Sequence, residues 1–124
     1  MKIKKEAERL LAAASPALDE YPSTIEALEL CSFDVQTEIL HLEDRAAYRE
    51  ELAVKESIEE TSETKRKALA KELLRADTTH STIKNDIRAL DRLRVSLVER
   101  AARLRREYRL ALINLEIQSL RMRA

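Results

Sequence analysis

From residue 82 onward, positions separated alternately by four and three residues carry Ile83, Ile87, Leu90, Arg94, Leu97, Ala101, Leu104, Tyr108, Ala111, Leu115, Gln118 and Met122. Only Arg94 and Gln118 interrupt the apolar character of this run, and the register never slips. A repeat of 3.5 residues keeps one seam on one side of an α-helix that twists slowly about a partner. The pattern predicts a helix over about 80–122, some 40 residues and roughly 60 Å long at 1.5 Å per residue. No compact chain of 124 residues needs a helix of that length. The repeat therefore calls for an equally extended partner.

That partner lies upstream in the same chain. Ile25, Leu28, Ser32, Val35, Ile39, Leu42, Ala46 and Ala53 fall at the same spacing, with Arg49 as the charged interruption. Ser23 followed by Glu26 has the form of a capping box, with Tyr21 and Pro22 outside it, so a helix over about 24–58 is predicted. Between residues 59 and 65 the chain reads EETSETK. Thr61 or Ser62 caps a new helix there, or the helix continues to about 75, and no Pro or Gly decides between the two. DTTHST, residues 77–82, is the densest run of cap and turn formers and is the expected reversal. Ile3, Ala7, Leu10, Leu11 and Ala14 mark a short helix over about 2–14, which Pro16 closes by disfavouring the helical region for Ser15. The expected fold class is all-α in a single domain spanning 1–124. It is a long antiparallel, coiled-coil-like helical hairpin with a short N-terminal helix, assembled into an oligomeric bundle.

Composition agrees and excludes much else. The chain has no glycine, 37% charged residues and 3% aromatics. Phosphate-cradling loops and dinucleotide fingerprints need glycine for close backbone approach or positive φ, so those nucleotide-binding classes are excluded. With Cys31 the single cysteine, no internal disulfide forms, and a reducing, cytoplasmic setting is expected. Glu6, Glu8 and Arg9 break the pattern of a secretory leader, and the apolar run over 10–14 is too short for one. Nothing approaches the roughly 20 apolar residues of a membrane span.

The net charge is zero, but the charges are segregated. Residues 1–77 carry 12 Lys and Arg against 18 Asp and Glu, and residues 78–124 carry 11 against 5. Such asymmetry means contact of the basic part with an outside polyanion, or the two parts lying against one another. With Ala101, Tyr108 and Leu115 in the seam, Arg100 and Arg105 flank it and face candidate partners at Glu29, Glu38, Glu43 and Glu50. Arg103, Arg106 and Arg109 point outward. They form either a solvated face, diluted by Glu99 and Glu107, or a set of nucleic-acid phosphate contacts. Base stacking would want aromatics beside them, and only Tyr108 is at hand.

The last turns of this helix carry a second stripe, Leu110, Ile113, Ile117 and Leu120, on the face away from Tyr108, Leu115 and Met122. A helix apolar on two sides is buried on two sides. The N-terminal helix is the simplest cover and another subunit the next, so a homo-oligomer is expected. Leu97, Leu104, Tyr108, Leu110, Ile113, Leu115, Ile117 and Leu120 are the expected helix and oligomer interface.

Chemistry-bearing constellations are sparse. Glu38 and His41 have the Glu-x-x-His spacing of carboxylate-bridged di-metal bundles, but such a site needs a second motif and two more inward glutamates. Asp77 and His80 repeat the spacing only within the expected turn. The run Asp77, Thr78, Thr79, His80, Ser81 contains triad residue types, yet capping accounts for it better than convergence of adjacent side chains. Cys31, beside the seam, reads as a small apolar residue. Neither catalysis nor a metal or other cofactor is expected.

Lys65, Arg66, Lys67 and Ala68, then Leu73, Leu74 and Asp77, then Arg105, Arg106 and Tyr108 form a basic stretch, a Leu-Leu-x-x-Asp turn and a Leu-rich helix with an Arg-Arg-x-Tyr element. Over about 61–115 this order resembles small helical accessory proteins of phages and prophages. The resemblance implies an accessory role in recombination or replication, on DNA or on a DNA-binding partner, and identifies no site. The residues themselves favour a non-enzymatic coiled-coil scaffold or adaptor that self-associates and takes protein partners. The alternative is a phage-type accessory factor that binds nucleic acid through Arg103, Arg106 and Arg109, and a metal-dependent bundle enzyme ranks third.

Overall fold

The computed structural model describes residues 2–60 and 62–123. They form four α-helices, with no strand among the described residues: α1 (Lys2–Ala12), α2 (Tyr21–Glu56), α3 (Glu63–Ala76) and α4 (Thr78–Arg123). A 3₁₀ turn, Leu18–Glu20, leads into α2. No described residue has a positive φ, so every junction is built from conformations that need no glycine. The chain divides into one unit of Met1–Val35 with Arg92–Ala124 and a second of Gln36–Asp91, and both long helices pass through both.

In the first unit Ile25, Leu28, Cys31 and Val35 of α2 are buried, as are Leu97, Ala101 and Leu104 of α4. Tyr21 stacks on Tyr108 with ring centroids 5.5 Å apart. Arg105 forms an ion pair with Glu29. These contacts run in opposite order along the two helices. The pair is exposed at both ends and contributes about 0.2–1 kcal/mol, so it selects the pairing more than it stabilises it. Ala7 of α1 is fully buried. Arg100 forms no ion pair with an acid on α2 among the described residues; its Nη2 donates to Ala13 O at 3.3 Å, meeting a carbonyl just beyond the end of α1.

In the second unit Ile39, Leu42, Ala46 and Ala53 of α2 are buried, as are Ile83 and Leu90 of α4. Arg49, the charged interruption of the α2 seam, has a structural reason there: its Nη1 lies 3.5 Å from Asp77 Oδ2. Asp77 is the single non-helical residue between α3 and α4. Its backbone N–H donates to Leu74 O at 3.1 Å, and its Oδ1 accepts from His80 N at 3.0 Å. One residue thus closes one helix and caps the next. His80 Nε2 reaches Glu50 Oε1 at 3.1 Å, and Lys84 Nζ meets the same oxygen at 3.7 Å.

Two junctions differ from expectation. Helix α2 begins at Tyr21, three residues before the expected position, because Pro22 fits its first turn, where the missing N–H would be unpaired anyway. Ser23 Oγ consequently donates back to Glu20 O, and Glu20 accepts from the Ala17 N–H. Helix α2 also stops at Glu56 without Pro or Gly. Buried Ser57 donates to Val54 O at 2.7 Å, and the following backbone bonds tighten into i to i+3 turns. Ser62 then caps α3, accepting from Lys65 N at 3.1 Å. Thr61, the other candidate cap, lies outside the described residues. Helix α1 ends at Ala12, two residues short of the expected end.

The Asp77 cap is testable. The His80 backbone N–H, with Arg49 adding its charge, holds the Asp77 carboxyl below the usual carboxylate range. A carboxyl lowered in the folded state stabilises above its unfolded pKa and loses that contribution as pH falls through the folded value. Asp77→Ala is therefore expected to lower Tm by a few degrees at pH 7. Asp77→Asn, which still caps, should lower it less. Thermal melts followed by circular dichroism should show the Ala deficit shrinking below about pH 4.

Candidate functional site

Two features of the first unit stand out: the end of α4 and a groove lined by arginines. From Arg109 to Arg123 no side chain of α4 is buried. Eight of these fifteen residues are apolar. Leu110 and Leu120 are 60% exposed, Ile113 44%, Leu115 47% and Ile117 42%. The expected interface thus separates into two sets. Leu97 and Leu104 are completely buried and Tyr108 is stacked on Tyr21, all within the chain. Leu110, Ile113, Leu115, Ile117 and Leu120 have no such cover.

The N-terminal helix does not supply it. Leu11 of α1 shares a groove with Ser96, Arg100 and Arg103, more than one helical turn before Leu110. Residues 110–122 lie beyond that contact. Periodicity revealed the double stripe, because the spacing of apolar residues is a local property. Where α1 would land depended on the connection through 13–20, which carries no such pattern.

The groove beside Leu11 encloses about 420 Å³ and is lined by Arg100, Arg103 and Arg106 as well as Glu99. Of the three arginines expected to face outward, Arg103 has its Nε 3.9 Å from Glu107 Oε1. Glu107 also accepts from the Tyr21 hydroxyl at 3.4 Å. Arg106 and Arg109 enter no ion pair among the described residues. Both are exposed, so of these three arginines they are the two open to an outside anion.

Exposed apolar residues occur elsewhere too. Leu30 and Phe33 of α2 and Val95 and Val98 of α4 are exposed in the first unit. Leu40, Tyr48, Val54 and Ile58 are exposed in the second. The signal for Leu30 and Phe33 was present as an i, i+3 pair outside the main seam, but the stronger seam beside it masked it.

Cys31 is buried, and burial, reinforced by Glu6 and Asp34, pushes its thiol pKa up. It is held protonated at neutral pH and packs as an apolar side chain. His41 is exposed and Glu38 half-buried, and no group of three or more His, Cys, Asp or Glu among the described residues has the arrangement of a metal site. No helix among them is long and apolar enough to cross a membrane. No family model, curated protein or solved structure is significantly similar to this chain.

Proposed function

We propose that this protein is a non-enzymatic coiled-coil scaffold that self-associates through the end of α4, in a reducing, cytoplasmic setting. The observation that carries the reading is the run Arg109–Arg123, helical, apolar at eight positions and buried at none. An isolated helix of about 12–15 residues is marginal in water, and most helices in proteins are held by packing of an apolar face. A second copy supplies that packing and covers both stripes in one step. Charge segregation favours a copy of the same chain, since the basic end of one chain meets the acidic stretch of another while net charge stays at zero. The antiparallel hairpin reading draws its support from the pairings within each unit taken separately.

Sedimentation velocity tests this over a range of concentrations. The intact chain is expected to associate and a chain ending at Arg109 to remain monomeric. An intact chain that is monomeric at high concentration overturns the proposal.

A second reading has its own observation, Arg106 and Arg109, exposed and in no ion pair among the described residues. In it the protein is a phage-type accessory factor holding nucleic-acid phosphates through Arg103, Arg106 and Arg109. Replacing the three by alanine would then weaken DNA binding and flatten its dependence on salt.

A further inference from the structure

The second unit contains a basic groove of different origin. It encloses about 420 Å³ between α3 and α4. Lys71 and Arg75 line it from α3 and Lys84 and Arg88 from α4, with Leu74, His80, Ser81 and Asn85 completing the lining. No acidic residue is part of its lining. Each cationic pair is four residues apart, about one helical turn, so each helix brings one pair about 6 Å long to the groove. Lys84 is partly answered by Glu50 at 3.7 Å. Lys71, Arg75 and Arg88 enter no ion pair among the described residues.

Like charges gathered in one groove repel one another, and a cluster in which only Lys84 is partly answered lowers stability unless something neutralises it. The Asp77 junction forces the cluster: it turns the chain between Arg75 and Lys84 and brings the two pairs together. His80, also in the lining and held by Glu50, fixes the first turn of α4.

We propose that this groove binds the phosphate backbone of nucleic acid by charge, without reading sequence. Arginine and lysine meet phosphate oxygens directly, and serine and asparagine add neutral hydrogen bonds of the kind that position a backbone. A small phosphorylated metabolite fits poorly, because the groove offers Leu74 as its only apolar wall and no Phe, Tyr or Trp to enclose a base or ring, and its one imidazole, His80, is held by Glu50. A polymer needs no enclosure, since its affinity comes from repeated charge and counterion release. A lipid surface would want apolar side chains projecting beside the cations, and here the cations line a concavity. The site is independent of Arg103, Arg106 and Arg109 and of self-association.

The test is fluorescence anisotropy of the full chain with labelled single- and double-stranded 20-mers between 50 and 200 mM salt. With four phosphate contacts, affinity for duplex should fall on the order of 100-fold across that range. Replacing Lys71, Arg75 and Arg88 together by glutamine should reduce the log-log salt slope by about 2.7, at roughly 0.9 per lost contact. The charge-keeping variant Arg75→Lys/Arg88→Lys should retain the slope, which separates lost charge from lost structure. Replacing Arg103, Arg106 and Arg109 by alanine should leave this contribution in place. The proposal is overturned if the full chain binds neither oligonucleotide at 50 mM salt or if the glutamine variant binds as the parent does. Binding to anionic lipid vesicles but not to oligonucleotides also overturns it.

Discussion

With Leu97 and Leu104 both replaced by alanine, the chain should lose about 4–10 kcal/mol, since each buried Leu→Ala exchange costs about 2–5 kcal/mol. Both side chains are completely buried within one unit. They are seven residues apart on α4, about 10 Å, and so the two losses should add. A loss of that size rivals the whole stability of a small domain, about 5–15 kcal/mol. The double variant should therefore be largely unfolded at room temperature, and each single variant should shift the urea midpoint clearly. Circular dichroism at 222 nm through a urea titration measures both. Leu110→Ala serves as the control, because Leu110 is 60% exposed and should cost far less under monomeric conditions. A cost below about 1 kcal/mol for Leu97→Ala would refute the assignment of this residue to the seam.

The seam was legible because its periodicity and its burial have one cause. Ile25, Leu28, Val35, Ile39, Leu42, Ala46 and Ala53 were all read from spacing alone, and all are buried. Ile83, Leu90, Leu97, Ala101 and Leu104, read the same way on α4, are buried in the same two units. What escaped was decided by competition among local bonds. Ser23 had the form of a cap, yet Pro22 opens the helix earlier and leaves the serine bonded to Glu20 O. The end of α2 was undecided because Ser57 ends it through its own hydroxyl, a choice with no pattern around it. Arg49 interrupts the apolar spacing because its guanidinium meets Asp77, a residue distant in sequence that spacing along α2 does not reveal. The cationic groove was hidden for another reason: Lys71, Arg75, Lys84 and Arg88 become one site only once the chain has turned at Asp77.

Introducing a charge into the exposed stripe should have the opposite signature to the core variants. Ile113→Asp/Ile117→Asp alters two residues one turn apart, at 44% and 42% exposure, without touching a buried side chain. The monomer should keep its helix content apart from fraying at the end. Self-association should weaken at least about 100-fold, or some 2.8 kcal/mol at 1.4 kcal/mol per tenfold change. In a symmetric assembly every copy brings two carboxylates to the same apolar contact, where each loses water and faces its own image. Ile113→Ala/Ile117→Ala should fall between the parent and this variant, since it removes apolar area without adding charge. Concentration supplies a second readout: the parent's Tm should rise as protein is added, and that of the Asp variant should not. If the Asp variant sediments as the parent does, the end of α4 is not the surface through which copies meet, and Leu30, Phe33, Val95 and Val98 become the apolar residues to alter next.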